Sequence, residues 1–491
     1  MTGSSTKQAG APRWSALQRW TLGVTSMAAF MAGMDALVVT TALPTIHADL
    51  GAATSALSWT VVAYALGFAA VVLAGVALGD RFGRRGVFLT GLALFTVGSA
   101  GCALSPNVGL LIATRAIQGI GGGLAVPLSL VLISEVFPPQ QRARAIGIWG
   151  AITGMAVAVA PLVGGAIVSG LAWRWIFWVN VPIGVAVLAA GLTRLARSPK
   201  VSARIDLVGM LLGAFAVGAI AYAIQEGPTV GWTSAQVLTA GIGGLVLAGA
   251  TMAWERRCAY PMVPPGLLAN RSFAAAAAGR FCLGVALYGA GFLFPQFLQL
   301  EHHYSPIGVG IAFLAWTGVS PFVAPIAGQI AQRRGERTPM VAGMAAMTVS
   351  VLALAVFVRP DSSYLVLVGP LLVAGVGTAL AFPTTASATM QAVTSDQMGP
   401  AGGVGTVAFQ LGAALGVSLV SAVFSSAGGY ASAAAFVDGL RPALVAVGVV
   451  TAIGVAAVNR FRGTVANGGQ AADTKVRLPN RVPEREPAGR G

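Results

Sequence analysis

Fourteen apolar runs, each about as long as the hydrocarbon layer of a bilayer is thick, limit what this chain can fold into. They lie near residues 20–43, 56–78, 86–105, 108–133, 144–168, 174–193, 207–226, 234–254, 273–299, 306–330, 339–358, 364–388, 401–424 and 438–458. A helix needs roughly 20 apolar residues to cross the hydrocarbon. Membrane barrel strands are about half that length and alternate apolar with polar, which these runs do not. The expected fold is therefore an all-α integral membrane protein with fourteen transmembrane helices.

Composition agrees. Of 491 residues, 56% are apolar and 9% charged, where a soluble domain carries about 25% charged residues. The net charge of +15 is not gathered on one domain. It is scattered in short clusters between the apolar runs, which is the layout of membrane loops and gives no reason to expect a nucleic-acid partner. Cys102, Cys258 and Cys282 are far apart in sequence and are expected to be free thiols; no metal spacing appears. The first apolar run is too long for a signal-peptide core and is read as an uncleaved span.

Charge sets the orientation. With the N-terminus inside, the inner loops hold fifteen basic residues: Arg81, Arg84, Arg85, Arg142, Arg144, Arg194, Arg197, Lys200, Arg204, Arg256, Arg257, Arg271, Arg333, Arg334 and Arg337. The outer loops hold three, Arg174, Arg359 and Arg441. The asymmetry predicts cytoplasmic termini. Dropping one span would invert the bias after it, so the even count has independent support. The loop near Asp396, which has no basic residue, tests it least.

The chain also repeats itself. V-A-L-G-D-R-F-G-R-R at 76–85 and G-Q-I-A-Q-R-R-G-E-R at 328–337 follow one template. This pairs spans 1–6 with spans 9–14 and leaves spans 7 and 8 as an insertion, so the two six-helix halves are pseudo-repeats flanking a midplane site. The predicted organisation is a cytoplasmic tail at 1–19, a six-helix bundle at 20–193 and a linker with two extra spans at 194–260. A second six-helix bundle follows at 261–458, then a disordered cytoplasmic tail at 459–491, rich in Gly, Pro and charge.

Four further motifs accompany the loop: M-D-A-L-V-V-T-T-A-L-P at 34–44, R-A-I-Q-G-I-G-G-G at 115–123, A-P-L-V-G-G at 160–165 and W-R-W-I-F-W-V-N-V-P-I-G at 173–184. With the fourteen spans, they resemble the fourteen-span drug:proton antiporter family of the major facilitator superfamily, over about residues 20–458. The resemblance implies alternating access, export and coupling to the proton gradient, with no cofactor. It implies a multi-pass protein of the bacterial cell membrane, a small-molecule substrate and a monomer in the lipid bilayer. Departures from the pattern are Val76, Ala156 and Ala160 in place of glycines, and Gln332 in place of the second-copy aspartate. The acidic residue that the family often carries deep in span 10 or 13 has no counterpart here.

Several residues are candidates for function. Asp35 lies ~13 Å before Pro44 at about 1.5 Å per residue, and Arg115 lies ~10 Å beyond Val108. An ionised carboxylate at such depth needs a cavity, a partner or a proton. Matched depth predicts that Asp35 and Arg115 meet, with Gln118 one turn from Arg115 on the same face. Such a pair either loads and releases a proton or is a permanent ion pair that sets helix packing. Asp80, Arg81 and Arg84, with Glu135 and Arg142 in E-x6-R spacing, are expected to form a cytoplasmic gate rather than serving only topology, while for Arg85 topology alone suffices. Gly147, Gly154, Pro161, Gly164 and Gly165 form a small-residue stripe on span 5, and Gly412 and Gly416 a GxxxG on span 13, both suited to close helix contact. Tyr288, Phe292 and Gln299 share a face and line a pocket or simply pack. Arg280 is buried if span 9 begins near Phe273, and snorkels if it begins at Phe281. Glu226, Glu301, His302 and His303 are expected in solvent at outer ends.

The function that the resemblance implies is proton-coupled export of small amphipathic drugs or antibiotics. Export of an endogenous metabolite or a siderophore is the alternative within transport. A membrane enzyme would need a clustered metal or nucleophile constellation such as H-E-x-x-H, and the sequence has none. A receptor or scaffold would normally append a folded soluble domain, and no segment between spans exceeds about 20 residues.

Overall fold

The computed structural model describes residues 14–198, 206–258, 261, 265–301, 303–394 and 397–462. Lys200, Arg204, His302, Asp396 and most of the two predicted tails lie outside these residues. Fourteen helices among the described residues are long and apolar enough to cross a membrane. We number them as spans 1 to 14: Ala16–Leu50, Ala56–Phe82, Arg84–Ala103, Val108–Val136, Arg144–Gly170, Trp175–Arg194, Val208–Gly227, Ala235–Glu255, Arg271–Leu300, Pro306–Arg334, Arg337–Phe357, Tyr364–Gln391, Pro400–Ala427 and Ala433–Asn459.

The helices extend past their apolar runs because polar caps hold their ends. Span 1 starts at a capping box: the Gln18 amide donates to Ser15 Oγ at 3.2 Å and the Ser15 amide to Gln18 Oε1 at 2.8 Å. It continues through Pro44 and stops at Gly51, whose φ of 60° is the left-handed conformation that ends helices. Two spans are broken. Span 6 is a short turn, Trp175–Trp178, followed by Asn180–Arg194. Span 10 consists of Pro306–Thr317 and Ser320–Arg334, with Pro321 in the first turn of the second piece, where a missing N–H costs nothing.

Lipid offers no hydrophobic drive between helices, so close backbone approach must supply the packing energy. Span 4 lies against spans 2 and 3 along its glycine run. A Cβ on Gly119 would stand 2.1 Å from the Tyr64 carbonyl oxygen, and one on Gly121 2.3 Å from the Phe95 nitrogen, so no larger residue fits. Spans 9 and 13 interlock in the same way. A Cβ on Gly284 would meet the Phe409 carbonyl at 2.2 Å, and one on Gly412 the Phe281 carbonyl at 2.0 Å.

Packing divides the described helices into two groups. Spans 1–3 gather around span 4, with span 5 packed on span 1 and span 6 on spans 1 and 3, and spans 9–14 gather around spans 9, 11 and 14. The groups meet chiefly where span 5 touches span 10 and where span 2 touches span 13. Spans 7 and 8 pair with each other, and span 7 lies against spans 2 and 13. Gln225 donates to Ser421 Oγ at 3.4 Å, and Trp59 Nε1 donates to Glu226 Oε1 at 2.9 Å. Glu226 is thus half-buried and bonded to an indole, a correction to its expected place in solvent. Glu301 is likewise only partly exposed, while His303 is exposed with a φ of 53°.

Candidate functional site

Asp35, Arg115 and Gln118 converge in the interior of the first group, each with no solvent exposure. Arg115 Nη1 donates to Asp35 Oδ2 and, at 2.8 Å, to Gln118 Oε1. Gln118 Nε2 donates to Asp35 Oδ1 at 2.9 Å. The i, i+3 spacing of Arg115 and Gln118 puts both on the face of span 4 that meets span 1. The glycine run one turn later lets span 4 sit deep enough for them to arrive.

Three elements of this network have no place in the sequence-based set. Asn180 Nδ2 donates to Asp35 Oδ1 at 2.9 Å and to Ser99 Oγ at 3.3 Å. The carbonyl of Thr60 accepts from Arg115 Nε at 2.9 Å. The ring of Tyr64 lies 4.4 Å under the guanidinium, a favourable place for a desolvated cation. Asn180 stands in the W-R-W-I-F-W-V-N motif, which was a signal available for it; Tyr64 and Thr60 carried none. The Asp35 carboxylate of span 1 is thereby held by spans 4 and 6. Burying the pair costs several kcal/mol per ion, and the hydrogen bonds offset this only in part, since Arg115 Nη2 and Asn180 Oδ1 are buried without a partner.

A second cluster lies at the end of the bundle that carries Gly83, which we call the Gly83 face. Arg84 Nε donates to Asp80 Oδ1 at 2.6 Å and Arg84 Nη1 to Glu135 Oε1 at 2.5 Å. Ser198 donates to Glu135 Oε2 at 3.2 Å, and Arg85 reaches the carbonyls of Gly191 and Leu192. Arg85 therefore also ties span 3 to the end of span 6. Two expected members stand apart. Arg81 is exposed over the ring of Phe82. Arg142 donates to the Ser134 carbonyl at 2.7 Å, because the chain turns at Phe137 and Pro138 and carries it to the helix end rather than to the Glu135 side chain.

The span 5 stripe is split. Gly164 packs on Val38 and Thr41, and Gly165 on Pro306 of span 10, where a Cβ would stand 2.1 Å from the carbonyl oxygen. Pro161 and Leu162 receive Gly310 of span 10. Gly147 and Gly154 have nothing within 4 Å of a built Cβ, so they pack no helix here. The polar bridges between spans 1 and 9 and between spans 5 and 10 lie toward the opposite end, the Gly51 face. Gln299 donates to the Thr41 carbonyl at 2.8 Å and the Ile307 amide to Ser169 Oγ at 2.9 Å. Spans 5 and 10 thus touch at the Gly51 face and part toward the Gly83 face, while spans 2 and 13 stay together down to Leu73 and Gly403.

Of the face on span 9, Tyr288 packs edge-on to Phe409 with centroids 6.0 Å apart, Phe292 is fully buried and Gln299 is spent on the bridge to span 1. These three do not form one lining. Arg280 is buried, 7% exposed, and resolves the two readings of span 9 in favour of the longer helix. Among the described residues no group of three or more His, Cys, Asp or Glu is poised to hold a metal.

An interior carboxylate–guanidinium pair inside fourteen bilayer-length helices defines a polytopic membrane protein with an ionisable centre. The sequence matches the Major Facilitator Superfamily over residues 25–417 and again over 276–479. It is 37% identical over 416 residues to the multidrug resistance protein Stp of Mycobacterium tuberculosis, covering 83% of this chain and 76% of that protein. It is 34% identical over 412 residues to a methylenomycin A resistance protein of Bacillus subtilis, covering 84% of this chain and 88% of that one. Its fold resembles a POT family transporter solved with 5-aminolevulinic acid, with a TM-score of 0.67 at 14% identity over 90% of this chain and 96% of the other. The chain belongs to the major facilitator superfamily, and is a multi-pass transporter of the cell membrane.

Proposed function

We propose that this protein exports small amphipathic drugs or antibiotics across the bacterial cell membrane in exchange for protons, by alternating access. The observation that carries the coupling is Asp35, a fully buried carboxylate whose two oxygens are held by Arg115, Gln118 and Asn180 from two other spans. A guanidinium at hydrogen-bond distance favours the ionised carboxylate, and withdrawing it favours the proton. Relative movement of spans 1 and 4 would therefore load or release one proton per cycle, with the membrane gradient as energy source and no cofactor.

The resistance named for both relatives supports drugs or antibiotics as substrates. Within this reading spans 1–6 and 9–14 are pseudo-repeat halves at 20–193 and 261–458, with spans 7 and 8 inserted between them in the 194–260 linker. Both termini are cytoplasmic, which makes the Gly83 face the inner one. The structure is then closed outside and parted between spans 5 and 10 inside. Asp80, Arg84 and Glu135 belong to the cytoplasmic gate, and the transporter works as a monomer. Export of an endogenous metabolite or siderophore is the second reading within transport; the resistance names weigh against it.

The test is expression in a pump-deficient bacterium, with a panel of toxic compounds scored for tolerance and accumulation. The expected result is lowered accumulation of several compounds, abolished by a protonophore and by Asp35→Asn. Accumulation equal to that of empty-vector cells across the panel, at verified membrane abundance, would sink the reading.

A further inference from the structure

The two buried arginines of the interior are not alike. Arg115 has Asp35. Arg280, in span 9, has no carboxylate within ion-pair distance among the described residues. Its Nε donates to the Gly405 carbonyl at 3.2 Å and its Nη1 to the Phe382 carbonyl at 3.4 Å, both long bonds. Its guanidinium lies 5.4 Å from the centroid of Phe382 and 5.2 Å from that of Phe409, so two rings frame the charge. Carbonyls and ring faces compensate a buried cation only in part, and an ionisable group inside a membrane bundle normally marks a substrate or ion pathway.

Its position is built rather than incidental. The reciprocal glycine contacts of Gly284 and Gly412 lock span 13 against span 9, which fixes Phe409 beside Arg280. Phe409 in turn touches Tyr288, and Tyr288 lies within electrostatic reach of Asp35 and Arg115. Tyr64, under Arg115, is within the same reach of Tyr288. Phe409 and Tyr288 thus extend from the lone cation of the second group toward the ion pair of the first.

We propose that Arg280 binds the acidic group of an organic anion, with Phe382 and Phe409 holding an aromatic body beside it, so that carboxylate-bearing aromatic compounds are a favoured substrate class. This rests on the export reading and narrows it. A planar guanidinium takes a carboxylate with two parallel hydrogen bonds, and flanking rings exclude water from the pair. Among the described residues no carboxylate lies within ion-pair distance of Arg280, and Asp35 is committed to Arg115.

The test uses purified full-length protein in nanodiscs and three aromatic acids, benzoate, 1-naphthoate and fluorescein, each against its neutral methyl ester. Wild type should bind the acids more tightly than the esters. Arg280→Gln should lower that preference by about tenfold or more, the usual scale for losing a charge-assisted hydrogen bond, while Arg280→Lys should keep part of it. Equal affinity of acid and ester in wild type would overturn the site, a measurement that stands even if Arg280→Gln fails to fold. So would a preference that survives in Arg280→Gln, which would leave Arg280 as a brace between spans 9, 12 and 13. Efflux of the same compounds from cells separates the two claims. Arg280-dependent acid preference without efflux sustains the site and sinks export. Efflux of the esters with no acid preference does the reverse.

Discussion

Asn180 donates a hydrogen bond to Asp35 at 2.9 Å across 145 residues of sequence, from the break in span 6 to the middle of span 1. The same oxygen, Oδ1, accepts from Gln118, so two amides share one side of the carboxylate while Arg115 takes the other. This division of labour allows the partners of the carboxylate to be removed one at a time.

Asn180→Ala removes one neutral donor and leaves the ion pair. Hydrogen bonds to charged groups contribute about 1.5–3 kcal/mol. The expected outcome is a stable, membrane-inserted protein whose proton-driven uptake into inverted vesicles falls about tenfold or more. Vesicle transport at the wild-type rate would show that Asn180 is a bystander.

Removing one ion costs more than removing both. Arg115→Gln alone leaves a buried carboxylate without its counter-charge, a loss of about 3–5 kcal/mol. Arg115→Gln with Asp35→Asn removes both charges. Detergent-solubilised melting should therefore place the double variant above the Arg115→Gln variant, with neither active in transport. A double variant less stable than both singles would contradict the pairing as the main source of the cost.

At the Gly83 face, Arg84 is the hinge of its cluster, bonded to Asp80 at 2.6 Å and Glu135 at 2.5 Å. Partly exposed pairs contribute little to stability, about 1 kcal/mol or less each. Arg84→Ala or Asp80→Asn should thus leave membrane abundance nearly intact and reduce transport. Full transport at matched expression would reduce the cluster to a topology determinant.

The split stripe of span 5 predicts unequal chemistry. Cysteine at position 154 should react readily with a hydrophilic thiol reagent, and cysteine at position 160, where Ala160 is fully buried, should not. Cys102, Cys258 and Cys282 are replaced first. Addition of a transported substrate should slow labelling at 154 as spans 5 and 10 close there. Labelling that ignores substrate would mean that this seam does not move.

Glu336 supplies a pH test outside the spans. Ser387 and Gln391 donate to its Oε1 at 2.7 and 2.8 Å, but burial of the carboxyl outweighs them and raises its pKa above the ordinary 4.5. The folded protein then binds this proton more tightly than the unfolded chain does. Its contribution to stability is largest in acid and is lost as pH rises from about 4.5 through the raised value. Glu336→Gln should flatten the pH dependence of the melting temperature in that window. An unchanged slope would remove Glu336 as its source.

Much of this was legible in the residues, for identifiable reasons. Hydropathy alone locates the spans, and equal depth alone brings Asp35 to Arg115, because straight helices convert residue count into distance. Depth says nothing about a broken helix, so Asn180, at the kink of span 6, could not be placed by counting. Arg142 reaches the Ser134 carbonyl at the end of span 4 because the chain turns at Pro138, a turn that residue spacing does not reveal. Glu226 finds Trp59 across 167 residues, a contact that only packing reveals. Gly147 and Gly154 share the small-residue spacing of Gly164 and Gly165, and spacing does not say which part of a helix face has a neighbour.

The break in span 10 separates more than two pieces of helix. Pro306–Thr317 is wedged onto span 5 at Gly165 and Pro161, whereas in Ser320–Arg334 Ala327 is the buried residue and Phe322 and Ile326 stand exposed. Side-chain enlargement is forbidden at Gly310 in the first piece and free at Phe322 and Ile326 in the second. Selection can therefore rewrite the Phe322–Ile326 stretch while the seam at Gly310 stays frozen, so one membrane crossing carries two different mutational tolerances.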